Sequence, residues 1–224
     1  MNLLALDTTT KILTLAVLRD GSRAEYNLEA GRRLSGLLEP SIKRVTDAAG
    51  LPLKSVDYFC VGLGPGSFTG MRIGIACVKG LAWSLNKPVV GVSTLDILAR
   101  NAEEDAESII PAVDARRNLI YCSVYKKKGA KLKRVKPYML VNLKEFLKLA
   151  GGNSLILGDA AGIYREAILG QVDGARIADL ELWWPRAHNL IELSLERIKE
   201  SKASDTFNIK PIYLYPKECQ IKNT

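Results

Sequence analysis

The chain offers one stretch whose residue types and spacing suit ligand chemistry, Gly64-Pro65-Gly66-Ser67-Phe68-Thr69-Gly70. It follows a short apolar run, Tyr58-Phe59-Cys60-Val61, and precedes Ile73, Cys77, Leu81 and Leu85 at near-helical spacing. A strand that turns through glycines into a helix start gathers free N–H groups and a positive dipole end, which is the chemistry of an anion site. Ser67 or Thr69 can cap the first turn, and Gly66 lets backbone approach closely. With Asp7 and Thr8 at the end of the apolar run Leu3 to Leu6, the candidate phosphate-binding set is Asp7, Thr8, Gly66, Ser67 and Thr69. A plain capped junction is the competing reading.

Other chemistry is thinly represented. His188 is the only histidine, so the histidine pair that a zinc hydrolase places on one helix turn cannot form. Ser67 has no plausible histidine base, because His188 follows Trp183-Trp184-Pro185 near a helix start, where capping or packing suits it. No GxxxxGK[ST] sequence occurs. Asp7, Asp114 and Asp159 at strand ends are the suggestive carboxylates, and capping turns is their alternative role. A zinc protease is therefore not expected, and any metal site would need those carboxylates.

The elements that position these residues follow one plan twice. Leu3 to Leu6, Leu13 to Val17 and about Arg23 to Leu28 read as a three-strand meander with an Asp20-Gly21 turn. A helix from about Leu34 to Ala48, a strand over Tyr58 to Leu63, a helix to about Asn86 and a strand over Pro88 to Val92 complete the first copy. The order repeats from Ile109: a strand ending at Asp114, alternation over Leu119 to Tyr125, a turn at Gly129, and a third strand near Arg134 to Leu140. A helix near Leu143 to Leu149 and a strand over Leu155 to Leu157 follow. The expected fold class is α/β, two duplicated subdomains, each a mixed sheet flanked by helices. Residues 1–103 and 104–224 form the halves, parting near Glu103-Glu104-Asp105, with a ligand cleft between them.

The 224 residues, 47% of them apolar, suffice for such a core. No run approaches a membrane helix or a signal peptide, which places the protein in the cytoplasm. Cys60, Cys77, Cys122 and Cys219 are scattered and should stay reduced. The formal charge of +8 concentrates between Arg116 and Lys136, where nine basic residues occur without an acid. Lysines guarding a hairpin edge, or contact with RNA or an acidic partner, would each account for that segment.

The second helix carries glycine at 70, 74 and 80, each costing about 1 kcal/mol against Ala. Gly70 and Gly74 share a face with Cys77 and Leu81, where another helix could approach closely. That neighbour belongs either to the same chain or to another subunit, with Leu34, Leu37, Leu38, Ile42 and Val45 extending the surface.

Leu3-Leu4-Ala5-Leu6-Asp7-Thr8, Gly64-Pro65-Gly66-Ser67-Phe68-Thr69-Gly70-Met71-Arg72-Ile73-Gly74 and Lys79-Gly80-Leu81-Ala82 together resemble the TsaB (YeaZ) family. Pro111-Ala112-Val113-Asp114-Ala115-Arg116 and Pro211-Ile212-Tyr213-Leu214 agree, so the resemblance spans the chain. It implies the duplicated RNase H-like fold of the actin, sugar-kinase and heat-shock ATPase group. It also implies a non-catalytic subunit that supports TsaD, which with the ATPase TsaE modifies a tRNA adenosine beside the anticodon. Under this resemblance Leu34, Leu37, Leu38, Ile42, Val45, Gly70, Met71, Arg72, Gly74, Cys77, Val78 and Leu81 form the contact with TsaD or with a second copy. The phosphate set becomes vestigial, and tRNA contact is weak or indirect. Gly158-Asp159-Ala160-Ala161-Gly162 is the nearest approach to an adenosine loop, so independent ATP binding is not expected. An ATP-dependent phosphotransferase of the same fold group is the alternative, and a metal-dependent glycoprotease a more distant one.

Overall fold

The computed structural model describes residues 1–102, 106–129, 131–203 and 206–216; the expected boundary at Glu103 to Asp105 and Cys219 lie outside them. In chain order the elements are β1 (Leu3–Asp7), β2 (Ile12–Arg19), β3 (Ser22–Glu29), α1 (Leu34–Ala48), β4 (Tyr58–Gly62), α2 (Phe68–Ser84), β5 (Val89–Val92) and α3 (Thr94–Ala99). There follow β6 (Ser108–Asp114), β7 (Leu119–Cys122), β8 (Tyr125–Lys128), β9 (Lys131–Arg134), β10 (Met139–Asn142), α4 (Leu143–Leu149) and β11 (Ser154–Leu157). The last are α5 (Asp159–Ile163), α6 (Arg165–Gln171), β12 (Arg176–Ile177) and α7 (Ala187–Lys199). No helix among the described residues is long and apolar enough to cross a membrane.

The chain divides into two compact units. The first holds Met1–Asn101 with Trp184–Pro211, and the second holds Ala102–Trp183 with the described residues from Ile212. A single cut after residue 103 therefore misses the return of residues 184–211, for a reason visible in α7. Its Ala187, Leu190 and Ile191 bury against Leu3, Ala5, Ala16, Cys60 and Val90, one face of the first sheet. Glu25 anchors the start of α7: its carboxylate accepts the Ala187 N–H at 3.0 Å and lies 2.9 Å from His188 Nδ1. The single histidine therefore sits at a helix start against a carboxylate.

Strand order in the first sheet is β3-β2-β1-β4-β5, with β1 antiparallel to β2 and parallel to β4. Period-two alternation splits β1 between two cores. Leu4 and Leu6 face α1 and α2 with Leu38, Ile42, Val45, Ile75 and Val78, while Leu3 and Ala5 face α7.

The second sheet repeats the order as β10-β7-β6-β11-β12, which bears out the duplicated plan. Its meander differs from the expectation in detail. The second strand breaks at Ser123-Val124 into β7 and β8, and the third, expected over Arg134 to Leu140, is two pieces, β9 and β10. β10 pairs β7 and β9 pairs β8, so hairpin pairing resumes on each side of the break.

Candidate functional site

β1 delivers Asp7 and Thr8 to the turn where β4 gives way to α2. Asp7 is fully buried. One carboxylate oxygen accepts the Thr9 N–H at 2.8 Å and the Thr9 hydroxyl at 2.7 Å, and the other accepts the Thr94 hydroxyl at 2.8 Å. A Cβ at Gly62 would lie 2.5 Å from the Asp7 carboxyl carbon, so the strand beside it closes on the carboxylate. Burial, the largest influence, raises the Asp7 carboxyl above its usual 3.8, while the bonds from Thr9 and Thr94 pull the other way. Ser93 and Thr94 were missed by sequence reasoning. Ser93 caps α3 and donates to the Gly64 carbonyl at 3.1 Å; the Ser-x-x-Asp spacing of Ser93 and Asp96 was the available signal.

The glycine turn meets Asp7 and Thr8 through backbone. Ser67 N–H donates to the Thr9 carbonyl at 2.7 Å, and a Cβ on Gly66 would stand 2.9 Å from the Thr9 Cβ. Ser67 is the N-cap of α2, its hydroxyl accepting the Gly70 N–H at 3.1 Å, while Thr69 lies exposed on the first turn. Asp7, Thr8, Gly66 and Ser67 thus come together, with the Asp7 carboxylate, the Thr8 hydroxyl and the Ser67 amide and hydroxyl all engaged within the chain. The Ser67 amide, one of those an anion would use, is held by the Thr9 carbonyl, which clasps the turn onto the end of β1.

The same clasp accounts for two of the helix glycines. Thr8 donates its hydroxyl to the Gly70 carbonyl at 2.7 Å. A Cβ on Gly70 would collide with the Thr8 carbonyl oxygen, and one on Gly74 with the Thr8 hydroxyl. Gly70 and Gly74 therefore admit the β1–β2 turn of their own unit, the same-chain neighbour of the two that the sequence leaves open. Met71 and Val78 are likewise buried, and Leu34, Leu38, Ile42 and Val45 belong to the core under α1. Of the residues expected at the interface, Leu37, Arg72, Cys77 and Leu81 remain at least partly exposed.

The outward face of α2 is instead Thr69, Arg72, Ile73, Ala76, Gly80 and Trp83, at helical spacing. A Cβ on Gly80 would meet nothing within 4 Å, and Trp83 is 70% exposed. A face phased on the glycines at 70 and 74 does not include Ala76 or Trp83.

In the second unit Asp114 and Asp159 occupy the matching strand ends as turn caps. Asp159 accepts the Asp114 N–H at 2.8 Å, and burial, the largest influence, raises its carboxyl above the usual value. Asp114 accepts the Arg116 N–H at 2.8 Å and lies 3.1 Å from its guanidinium. Tyr215, from the tail, donates to the Ala115 carbonyl at 2.8 Å and meets the Tyr121 ring edge-on at 6.1 Å.

Residues 28–166 match the family model described as TsaD, tRNA N6-adenosine threonylcarbamoyltransferase. The tRNA threonylcarbamoyladenosine biosynthesis protein TsaB of Bacillus subtilis is 32% identical, with 99% of this chain and 97% of that one covered. The protein of the same name from Escherichia coli is 28% identical over 96% and 94%. Among solved structures, YeaZ from Pseudomonas aeruginosa superposes with a TM-score of 0.80 at 29% identity, covering 95% of this chain and 99% of that one. A second structure from that organism, an uncharacterised protein with similarity to peptidase YEAZ, gives 0.83 at 29% identity over 96% and 99%.

Proposed function

The chain belongs to the TsaB family of tRNA threonylcarbamoyladenosine biosynthesis proteins, and from that membership we propose that it serves the modification as a non-catalytic subunit supporting a TsaD-type transferase. The observation that carries the non-catalytic part is the Asp7 clasp. The carboxylate most favourably placed for phosphate chemistry is fully buried, and both its oxygens are engaged by Thr9 and Thr94. A group that must hold a phosphate or activate water has to meet it directly, and this carboxylate, with no exposed surface and Thr9 and Thr94 packed on its two oxygens, is reached only if the turn opens.

The supporting contact is assigned to the outward face of α2 together with the exposed side of α1. Ile73, Ala76, Cys77, Gly80 and Leu81 make that face low and largely apolar, and Trp83 stands at its end. Exposed aromatic anchors beside small residues suit a helix-to-helix contact between subunits. A second copy of the chain could use the same face in the absence of the transferase. The assembly includes a TsaE-like ATPase and works in the cytoplasm.

The test is co-purification of the chain with a TsaD-type subunit. Ala76→Arg combined with Gly80→Arg, both at open positions, is expected to abolish the association while leaving the melting temperature within a few degrees of wild type. Full association of this folded variant would refute the assigned face.

A further inference from the structure

We propose that the tip of the long hairpin in the second unit, formed by β8 and β9 around Lys126, Lys127, Lys128 and Lys133, is a contact for the phosphate backbone of RNA. The identity of that RNA as the tRNA undergoing modification rests on the function proposed above; the contact itself does not.

The charge of the molecule is concentrated here. Nine of its 32 basic residues and none of its 24 acidic ones lie between Arg116 and Lys136, so the rest of the chain holds 23 basic against 24 acidic residues. The whole excess of positive charge belongs to this segment.

Backbone geometry then projects part of it away from the sheet. β8 pairs with β6 at one position, Tyr125 opposite Ile109, and beyond it Lys126 to Lys128 pair with β9. Tyr125 is 3% exposed, whereas Lys126, Lys127, Lys128 and Lys133 are exposed on a ribbon two strands wide. Lys126 stands directly opposite Lys133. Like charges in that relation destabilise a hairpin. Glu107 relieves Lys126 at 3.1 Å, but Lys128 and Lys133 have no acidic partner among the described residues.

Edge protection does not explain this pattern, because the duplicated plan supplies an internal comparison. The matching hairpin of the first unit, β2 and β3, turns just after its last pair with β1, Leu18 opposite Leu3. Its tip is balanced: Arg19 lies 3.9 Å from Asp20, and Arg23 is ion-paired with Glu192. Its edge strand also carries Glu25 and Glu29. Charge of mixed sign suffices to guard an edge. A longer tip of one sign, bearing opposed lysines, fits a partner that is itself a dense row of negative charge. RNA phosphates supply that row. The deep groove of an A-form helix excludes side-chain readout, so lysines on a ribbon grip backbone and carry no sequence preference.

The experiment is fluorescence anisotropy of the full-length chain with a labelled, unmodified tRNA transcript over a salt series. Lys126→Glu, Lys128→Glu and Lys133→Glu combined should weaken binding at low salt by at least about tenfold and reduce the slope of log K against log salt by about 2. A control reversing the exposed Lys54, Lys144 and Lys148 should change both far less. Lys133→Glu alone should lower affinity while leaving the melting temperature unchanged or raised, since it turns the repulsion with Lys126 into attraction. Unchanged affinity and slope in the hairpin triple variant overturns the proposal. Unchanged tRNA binding with lost TsaD association also overturns it, making the ribbon a protein contact. Hairpin-dependent tRNA binding by a chain that fails to associate with TsaD would uphold this contact and refute the supporting role.

Discussion

At the scale of single residues, glycine has opposite meanings at two positions of one helix. Gly→Ala in a helix interior ordinarily stabilises by about 1 kcal/mol. At Gly80 the new methyl meets open space, and Gly80→Ala should raise stability by that amount in denaturant titration. At Gly74 the methyl would collide with the Thr8 hydroxyl, so Gly74→Ala should lower stability by about 1–3 kcal/mol. Equal effects of the two would contradict the clasp. Asp7 makes a second prediction. Its carboxyl, raised by burial, contributes stability that is present below its unfolded value and lost as pH rises through the folded value. Asparagine cannot titrate and can keep hydrogen bonds with Thr9 and Thr94. The melting temperature of Asp7→Asn relative to wild type should therefore become more favourable as pH rises above the ordinary aspartate range. A difference that does not vary with pH would show the carboxyl to be unshifted.

At the scale of elements, most of the first unit was legible in the sequence because its signals are local. The apolar stripe of α1 gave Leu34–Ala48 as its bounds, and the Asp20-Gly21 turn correctly separated β2 from β3. The direction of the α2 faces was not legible. Gly70 and Gly74 announce a close approach but not what approaches, and only the three-dimensional fold brings Thr8 there. The strand break at Ser123-Val124 likewise has no local glycine or proline to mark it. The cysteines report on the faces. Burial pushes the Cys60 and Cys122 thiols up to about 12 and raises that of the half-buried Cys77, which lies toward the outward side of α2. Alkylation at about pH 8 mapped by mass spectrometry should leave Cys60 and Cys122 unmodified in the native protein. Cys77 should react, more slowly when the TsaD-type subunit is bound, and an unaltered rate in the complex would count against α2 as the contact.

At the scale of the whole molecule, duplication was readable because strand order is written in the succession of apolar runs, and β3-β2-β1-β4-β5 recurs as β10-β7-β6-β11-β12. The return of α7 to the first unit was not. Leu190 and Ile191 mark a buried helix face without naming the sheet that buries it, a long-range choice made by Leu3, Ala5 and Val90. The proposed non-catalytic role turns on Asp7, whose carboxylate is buried and held by Thr9 and Thr94. The most direct test is reconstituted threonylcarbamoylation of tRNA with the TsaD-type subunit and its ATPase, with the chain omitted, wild type, or carrying Asp7→Asn. Turnover should require the chain and be undiminished by Asp7→Asn; loss of turnover in a folded Asp7→Asn chain that still binds its partner would make Asp7 a working group and contradict the account.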